Sequence, residues 1–284
     1  MTYRECYEKG CHILNEAGIE ESTLDARLLL EAVCGTDRND LLVHGEQPVE
    51  PETEEKYFGW IGKRAGRIPL QQLTGEQDFM GLTFTVNENV LIPRQDTEIL
   101  VEEVLKELHD RMRILDMCTG SGCILLSLLH YSNDCEGLGV DLSAEALEVA
   151  GRNVLKVLTP EKAEHAHFLQ SDLFEKVEGK FEIIVSNPPY IASAEIEKLM
   201  PEVRDHEPRM ALDGTEDGLH FYRRIIKEAG KHLVNSGMLF FEIGYDQGQA
   251  VSELMRAQGY REVQVVQDYA GLDRVVLGTY CERN

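Results

Sequence analysis

A chain of 284 residues with 43% apolar and 28% charged side chains has the length for one large or two unequal globular domains, and its composition is neither disordered nor fibrous. Its formal net charge of −23 repels phosphate, and because nucleic-acid binding gains most of its affinity from counterion release onto Lys and Arg, bare DNA or RNA is a poor substrate. The start Met1-Thr2-Tyr3-Arg4 carries no apolar signal region and the apolar runs are only strand-sized, so a cytoplasmic protein without a membrane span is expected. Cysteines at positions 6, 11, 34, 118, 123, 135 and 281 form an odd set without C-x-x-C pairs, for which reduced thiols and no metal are expected.

From residue 3 to about 68 the pattern is helical, with apolar residues three and four apart in residues 23–33 and a stop near Gly35. Residues 1–70 therefore read as a small helical domain. The first 75 residues hold 8 Lys/Arg against 14 Asp/Glu, and the one basic cluster, Lys63, Arg64 and Arg67, is explained by a solvated helix face. Residues 71–93 read as a β-hairpin linker, since Leu82-Thr83-Phe84-Thr85-Val86 alternates and Asn87-Glu88-Asn89 follows as a turn. Pro93 introduces a helix over residues 94–110 with Ile99, Leu100, Val104 and Leu108 on one face.

From Arg113 strands and helices alternate, which predicts a parallel sheet covered on both faces over residues 94–284. Strands are expected at 113–118, 137–142, 166–171, 181–186, 237–243, 261–267 and 274–280. A helix is expected over 143–158, with Ser143 as N-cap and Leu147, Ala150 and Val154 on one stripe. The last two strands are joined by six residues, too few for a crossover helix, so they should pair antiparallel. The fold class is α/β, Rossmann-like and seven-stranded, with the helical domain and the hairpin ahead of it.

The first strand of that sheet runs into Cys118-Thr119-Gly120-Ser121-Gly122 and then a helix. Such a loop brings backbone close to a ligand and presents free N–H groups. Asp141, ending the second strand, is placed to accept from both hydroxyls of a ribose. NAD and S-adenosylmethionine both present that ribose, but the third glycine of the dinucleotide pattern is missing, as Gly122 is followed by Cys123-Ile124-Leu125. After the third strand, Asp172 is placed to meet an adenine amine or to cap a helix, and Leu173 to pack on the ring.

The fourth strand ends in Asn187-Pro188-Pro189-Tyr190. Two prolines fix φ twice and remove two donors, leaving a rigid turn rich in acceptors. The Asn187 side-chain oxygen and the Pro188 carbonyl can together receive both N–H bonds of one NH2 group, while the Tyr190 ring covers its flat face. The alternative is a Pro-Pro loop that merely ends a buried strand.

These residues resemble class I S-adenosylmethionine-dependent methyltransferases, and more narrowly the glutamine N5-methyltransferases of the PrmC/HemK type. The resemblance extends to Val90-Leu91-Ile92-Pro93-Arg94-Gln95-Asp96-Thr97-Glu98, to the segment from Glu207 through Gly214 to Leu219, to Phe241-Glu242-Ile243-Gly244, and to Asp268 through Arg274. It implies methylation of the glutamine in the GGQ loop of translation release factors, by a monomer using S-adenosylmethionine, releasing S-adenosylhomocysteine and needing no metal. It further implies a cofactor loop at Cys118, Thr119, Gly120, Ser121 and Gly122, with Asp141, Asp172, Leu173 and Asn187 completing the cofactor site. Substrate recognition would fall to Asn187, Pro188, Pro189 and Tyr190, with Asn187, Pro188 and Tyr190 carrying the chemistry, and residues 1–70 would help grip the protein substrate. Two departures stand out. Cys118 replaces a usual Gly, so a φ compatible with a Cβ is expected there, with the close approach left to Gly120 and Gly122. Gln95-Asp96 replaces Pro-Glu, which should leave the site intact. Alternative activities are methylation of a ribosomal protein's glutamine and N-methylation of a nucleic-acid base; a non-catalytic cofactor-binding module is a further alternative.

Overall fold

A computed structural model describes residues 1–282, and the chain divides into two compact units. The first comprises Met1–Gly75 together with Met200–His206, and the second Glu76–Leu199 with Glu207 onward.

The first unit is helical, with its main helices at Tyr3–Glu16, Ser22–Cys34 and Pro51–Ala65. Thr2 opens the first of these with a reciprocal capping box to Glu5, and Gly35 closes the second in the left-handed conformation, where a side chain would be strained. Their apolar faces meet around Leu14, Leu29, Leu30, Tyr57 and Ile61. Of the basic cluster only Lys63 is exposed as expected, and the two arginines do not form a solvated face. Arg64 is only 8% exposed and donates to Asp25 at 2.7 Å and to Glu202 at 3.1 Å. Arg67 reaches the same Glu202 at 3.1 Å and the carbonyls of Ala17 and Gly18. Both arginines therefore pair with carboxylates and carbonyls inside this unit, and neither is set out to receive phosphate.

The second unit opens with the hairpin β1 (Glu76–Phe79) and β2 (Leu82–Thr85), preceded by a short helix, Leu70–Thr74, where the hairpin linker was expected to have begun. Asn153 holds β2 on both sides, accepting from Thr85 N at 2.7 Å and donating to Thr85 O at 3.0 Å. The helix expected from residue 94 begins as a 3-10 turn, Gln95–Thr97, and is α-helical only over Glu98–Glu107. Seven further strands follow: β3 (Arg113–Met117), β4 (Glu136–Asp141), β5 (Ala166–Gln170), β6 (Phe181–Ser186), β7 (Leu233–Glu242), β8 (Arg261–Gln267) and β9 (Asp273–Thr279). They form one sheet in the order β5-β4-β3-β6-β7-β9-β8, parallel from β5 to β7, with β9 antiparallel to both of its neighbours.

Strand residues alternate between two cores. Leu239 and Phe241 face Tyr222, Ile225 and Met255, whereas Phe240 faces the opposite layer with Leu100 and Leu125. Burial on both faces explains why β3 and β6 read as nearly unbroken apolar runs. Among the described residues no helix is long and apolar enough to cross a membrane.

Candidate active site

The chain leaves β3 for β4 in one direction and later returns beside β3 as β6. The crevice between these neighbours is the switch point at which open α/β sheets bind ligands. Met117 pairs in parallel register with both Val140 and Ser186, so the three strands end level. Cys118, Asp141 and Asn187 therefore come together at one sheet edge. They line a cavity of about 400 Å³, a volume typical of small-molecule sites. Thr119, Gly120, Ser121, Asp172, Leu173 and Pro189 also line it, whereas Gly122, Pro188 and Tyr190 do not.

The loop after β3 is held by its own polar atoms. Thr119 donates from its backbone to Val140 O at 3.0 Å and from its hydroxyl to Asp116 at 2.6 Å. Gly120, at φ +55, donates its N–H to Asp141 Oδ2 at 2.9 Å, and a Cβ built on it would meet nothing within 4 Å. Gly122 serves packing, because a Cβ there would stand 3.2 Å from Ala150 Cβ and 3.2 Å from Leu126 Cδ1. Cys118 departs from the expected backbone. Its φ of +64 is left-handed, a conformation that costs a residue with a Cβ about 1–2 kcal/mol. Leu173 and Thr215, at φ +49 and +70, line the same cavity, so backbone strain is concentrated there.

Asp141 also accepts from Ser143 N at 3.0 Å, and burial raises its carboxyl above the ordinary range despite these donors. Asp172 caps no helix among the described residues and instead pairs with Arg224 at 3.0 Å. Arg94 is the only cationic side chain among the described residues lining the cavity, and it donates to the buried carboxylate of Glu207. A wall whose other charges are Asp141, Asp172 and Asp213 does not suit a phosphate backbone.

Below the loop, Asp116 is fully buried, and burial pushes its pKa from 3.8 up to about 7. The unfolded chain gives up this proton first, so between those values the folded state binds more protons and stability falls as pH rises. Asp116→Asn is expected to remove this residue's share of the fall. Thermal unfolding followed from pH 4 to 7 checks it, and an unchanged slope would refute it.

At the Asn-Pro-Pro-Tyr turn, Asn187 Nδ2 donates to Thr97 Oγ1 at 3.4 Å. Among the described residues no donor reaches Asn187 Oδ1 or the Pro188 carbonyl, so both acceptors stay open. The Tyr190 hydroxyl donates to Glu242 Oε1 at 3.2 Å, and its carbonyl accepts from Gln247 Nε2 at 3.0 Å. Gly214 and Gly218 press on the same turn: a Cβ would lie 2.8 Å from Tyr190 Cα at Gly214 and 2.3 Å from Tyr190 O at Gly218. The sequence alone gives Thr97, Gln247 and the two glycines no role. Their recurrence near the turn in space, not in sequence, reveals it. Asp96, at the departure noted above, pairs with Arg274 at 3.2 Å.

Residues 5–75 match the family model of the PrmC N-terminal domain, and residues 94–203 that of the methyltransferase small domain. The release factor glutamine methyltransferase of Clostridium acetobutylicum is 41% identical over 98% of this chain and 98% of its own. That of Moorella thermoacetica is 43% identical over the same shares. A methyltransferase from Pyrococcus furiosus shares the fold, with a TM-score of 0.53 and 17% identity over 78% of this chain and 100% of that one. With near-complete coverage by such relatives and a crevice of this form, the chain belongs to the release factor glutamine methyltransferase family.

Proposed function

We propose that the protein methylates the side-chain amide nitrogen, N5, of the glutamine in the GGQ loop of translation release factors, using S-adenosylmethionine. The observation that carries this reading is the pair of open acceptors, Asn187 Oδ1 and the Pro188 carbonyl, at a sheet edge shared with the Asp141 crevice. The cavity fits the cofactor, since the position of a Gly120 Cβ is open space and a carboxylate ends β4 where a ribose needs an acceptor. Bound there, S-adenosylmethionine supplies an electrophilic methyl group on a sulfonium. Asp141 would hold the ribose hydroxyls, Asp172 the adenine amine, Leu173 the ring face, and the backbone of Cys118 through Gly122 the remainder.

A glutamine amide is a poor nucleophile because its nitrogen lone pair is delocalised into the carbonyl. Asn187 Oδ1 and Pro188 O, accepting both amide N–H groups, favour the positive charge that develops on nitrogen during attack. Pro189 and Tyr190 keep the amide plane oriented, a positioning effect. The nitrogen–carbon bond forms as the carbon–sulfur bond breaks, and the amide's surplus proton leaves to water.

Purified protein incubated with labelled S-adenosylmethionine and unmodified release factors, beside a ribosomal-protein control, tests the reading by peptide mass spectrometry. A methyl group on the GGQ glutamine is expected. Labelling of the ribosomal protein alone would transfer the assignment to that substrate.

A further inference from the structure

The two prolines of the Asn187 turn lack N–H groups, so the aim of the Pro188 carbonyl depends on where the chain is anchored beyond them. That anchor is the peptide joining Tyr190 to Ile191, which is held at both ends. Ile191 N donates to Leu212 O at 3.0 Å, and the Tyr190 carbonyl accepts from Gln247 Nε2 at 3.0 Å. Among the described residues no other donor reaches the Tyr190 carbonyl.

Gln247 lies at the N-cap of the helix Gly248–Gln258, half-buried and outside the cavity wall. Gly244 N, which can only donate, is 3.0 Å from its Oε1, and the carbonyls of Tyr190 and Gly218, which can only accept, lie 3.0 and 3.5 Å from its Nε2. Partners of these kinds permit one orientation of the amide, with its nitrogen toward the turn. The Tyr222 hydroxyl adds a contact of 3.4 Å to Oε1. At Gly218 the fit is close, since a Cβ there would stand 2.7 Å from Gln247 Nε2. One side chain thus joins three backbone segments: the turn, the loop that carries Gly218, and the chain leaving β7.

We propose that Gln247 is a positioning residue of the methyl transfer: by donating to the Tyr190 carbonyl it holds the Pro188 carbonyl aimed at the substrate nitrogen. This rests on the reading of Asn187 Oδ1 and the Pro188 carbonyl as acceptors for a glutamine amide. Once the Tyr190 carbonyl is released its peptide plane can rotate, and the two prolines, with φ fixed, carry that rotation back to the Pro188 carbonyl. The donor end of Gln247 performs this role, while its oxygen closes the loop after β7 on Gly244 N. Two variants of similar length separate the ends. Gln247→Glu keeps an oxygen for Gly244 N and sets the other against two carbonyls, and Gln247→Met offers neither a donor nor a strong acceptor.

Steady-state kinetics with unmodified release factor test the anchor at about pH 8, where a carboxylate is ionised. Both variants are expected to lower kcat about 10- to 100-fold with both KM values within about threefold, and Gln247→Glu should lose at least as much as Gln247→Met. Wild-type kcat in Gln247→Glu would overturn the proposal, because the bond to Gly244 N would then be the one that matters. A loss that falls on KM or on cofactor affinity instead of kcat would overturn it too, since that marks a general loosening of the crevice. A wild-type enzyme that leaves the glutamine unmodified would instead refute the assigned reaction, and the anchor is then decided by crystal structures of the wild type and Gln247→Met. A Pro188 carbonyl turned from its wild-type direction in the variant supports the role; an unchanged turn refutes it.

Discussion

Asn187→Ala is expected to lower turnover about 10²- to 10³-fold, the range seen when one preorganised hydrogen-bonding group aimed at developing charge is removed. The alanine leaves Thr97 without its donor and the substrate nitrogen with the Pro188 carbonyl alone. Because β6 is buried on both sides and the two prolines fix the turn independently of residue 187, the fold should persist. The loss should therefore fall on kcat, measured with saturating cofactor and unmodified release factor. A variant that turned over at the wild-type rate would remove Asn187 from the chemistry.

Asp141→Ala should weaken binding of S-adenosylmethionine by roughly 100-fold or more, as read by calorimetry or equilibrium dialysis. Hydrogen bonds to a charged partner are each worth about 1.5–3 kcal/mol, and the ribose offers two hydroxyls. The substitution also strips acceptors from Gly120 N and Ser143 N, which lie at 2.9 and 3.0 Å. Those two bonds set the loop after β3 against the end of β4, so their loss loosens the cavity wall as well as the ribose contact. Asp141→Asn separates the two effects, since its amide oxygen can still serve one backbone donor but carries no charge. Unchanged affinity in Asp141→Ala would show that the ribose lies elsewhere.

Much of this organisation is legible in the sequence because it is local. The boundaries of β3 through β6 follow from short apolar runs bounded by turn residues, and the closing hairpin follows from a linker too short to cross the sheet. The level ends of β3, β4 and β6 bring Cys118, Asp141 and Asn187 together without any long-range information beyond parallel order. Where the reading failed, the deciding partner is far along the chain. Arg64 and Arg67 look like a solvated face because Glu202 is 138 and 135 residues away. Thr97 is invisible as a partner of Asn187, 90 residues on, and Glu242 as the anchor of Tyr190, 52 residues on. The Cys118 backbone was misjudged for another reason: a side chain normally avoids positive φ, and only the surrounding loop bonds make the strained form the one that fits.

The inclusion of Met200–His206 in the first unit bears on how the chain is made. Glu202, the carboxylate shared by Arg64 and Arg67, is synthesised long after the helices that carry those arginines. On the ribosome the amino-terminal helices therefore emerge with Arg64 paired to Asp25 but without the carboxylate it shares with Arg67, and their unit is unfinished until residue 206 has cleared the exit tunnel. A polypeptide ending at residue 75 would lack the Glu202 carboxylate that both arginines share. Domain-by-domain maturation from the amino terminus, common in larger proteins, is thereby replaced by a late closing step that waits on the middle of the methyltransferase sheet.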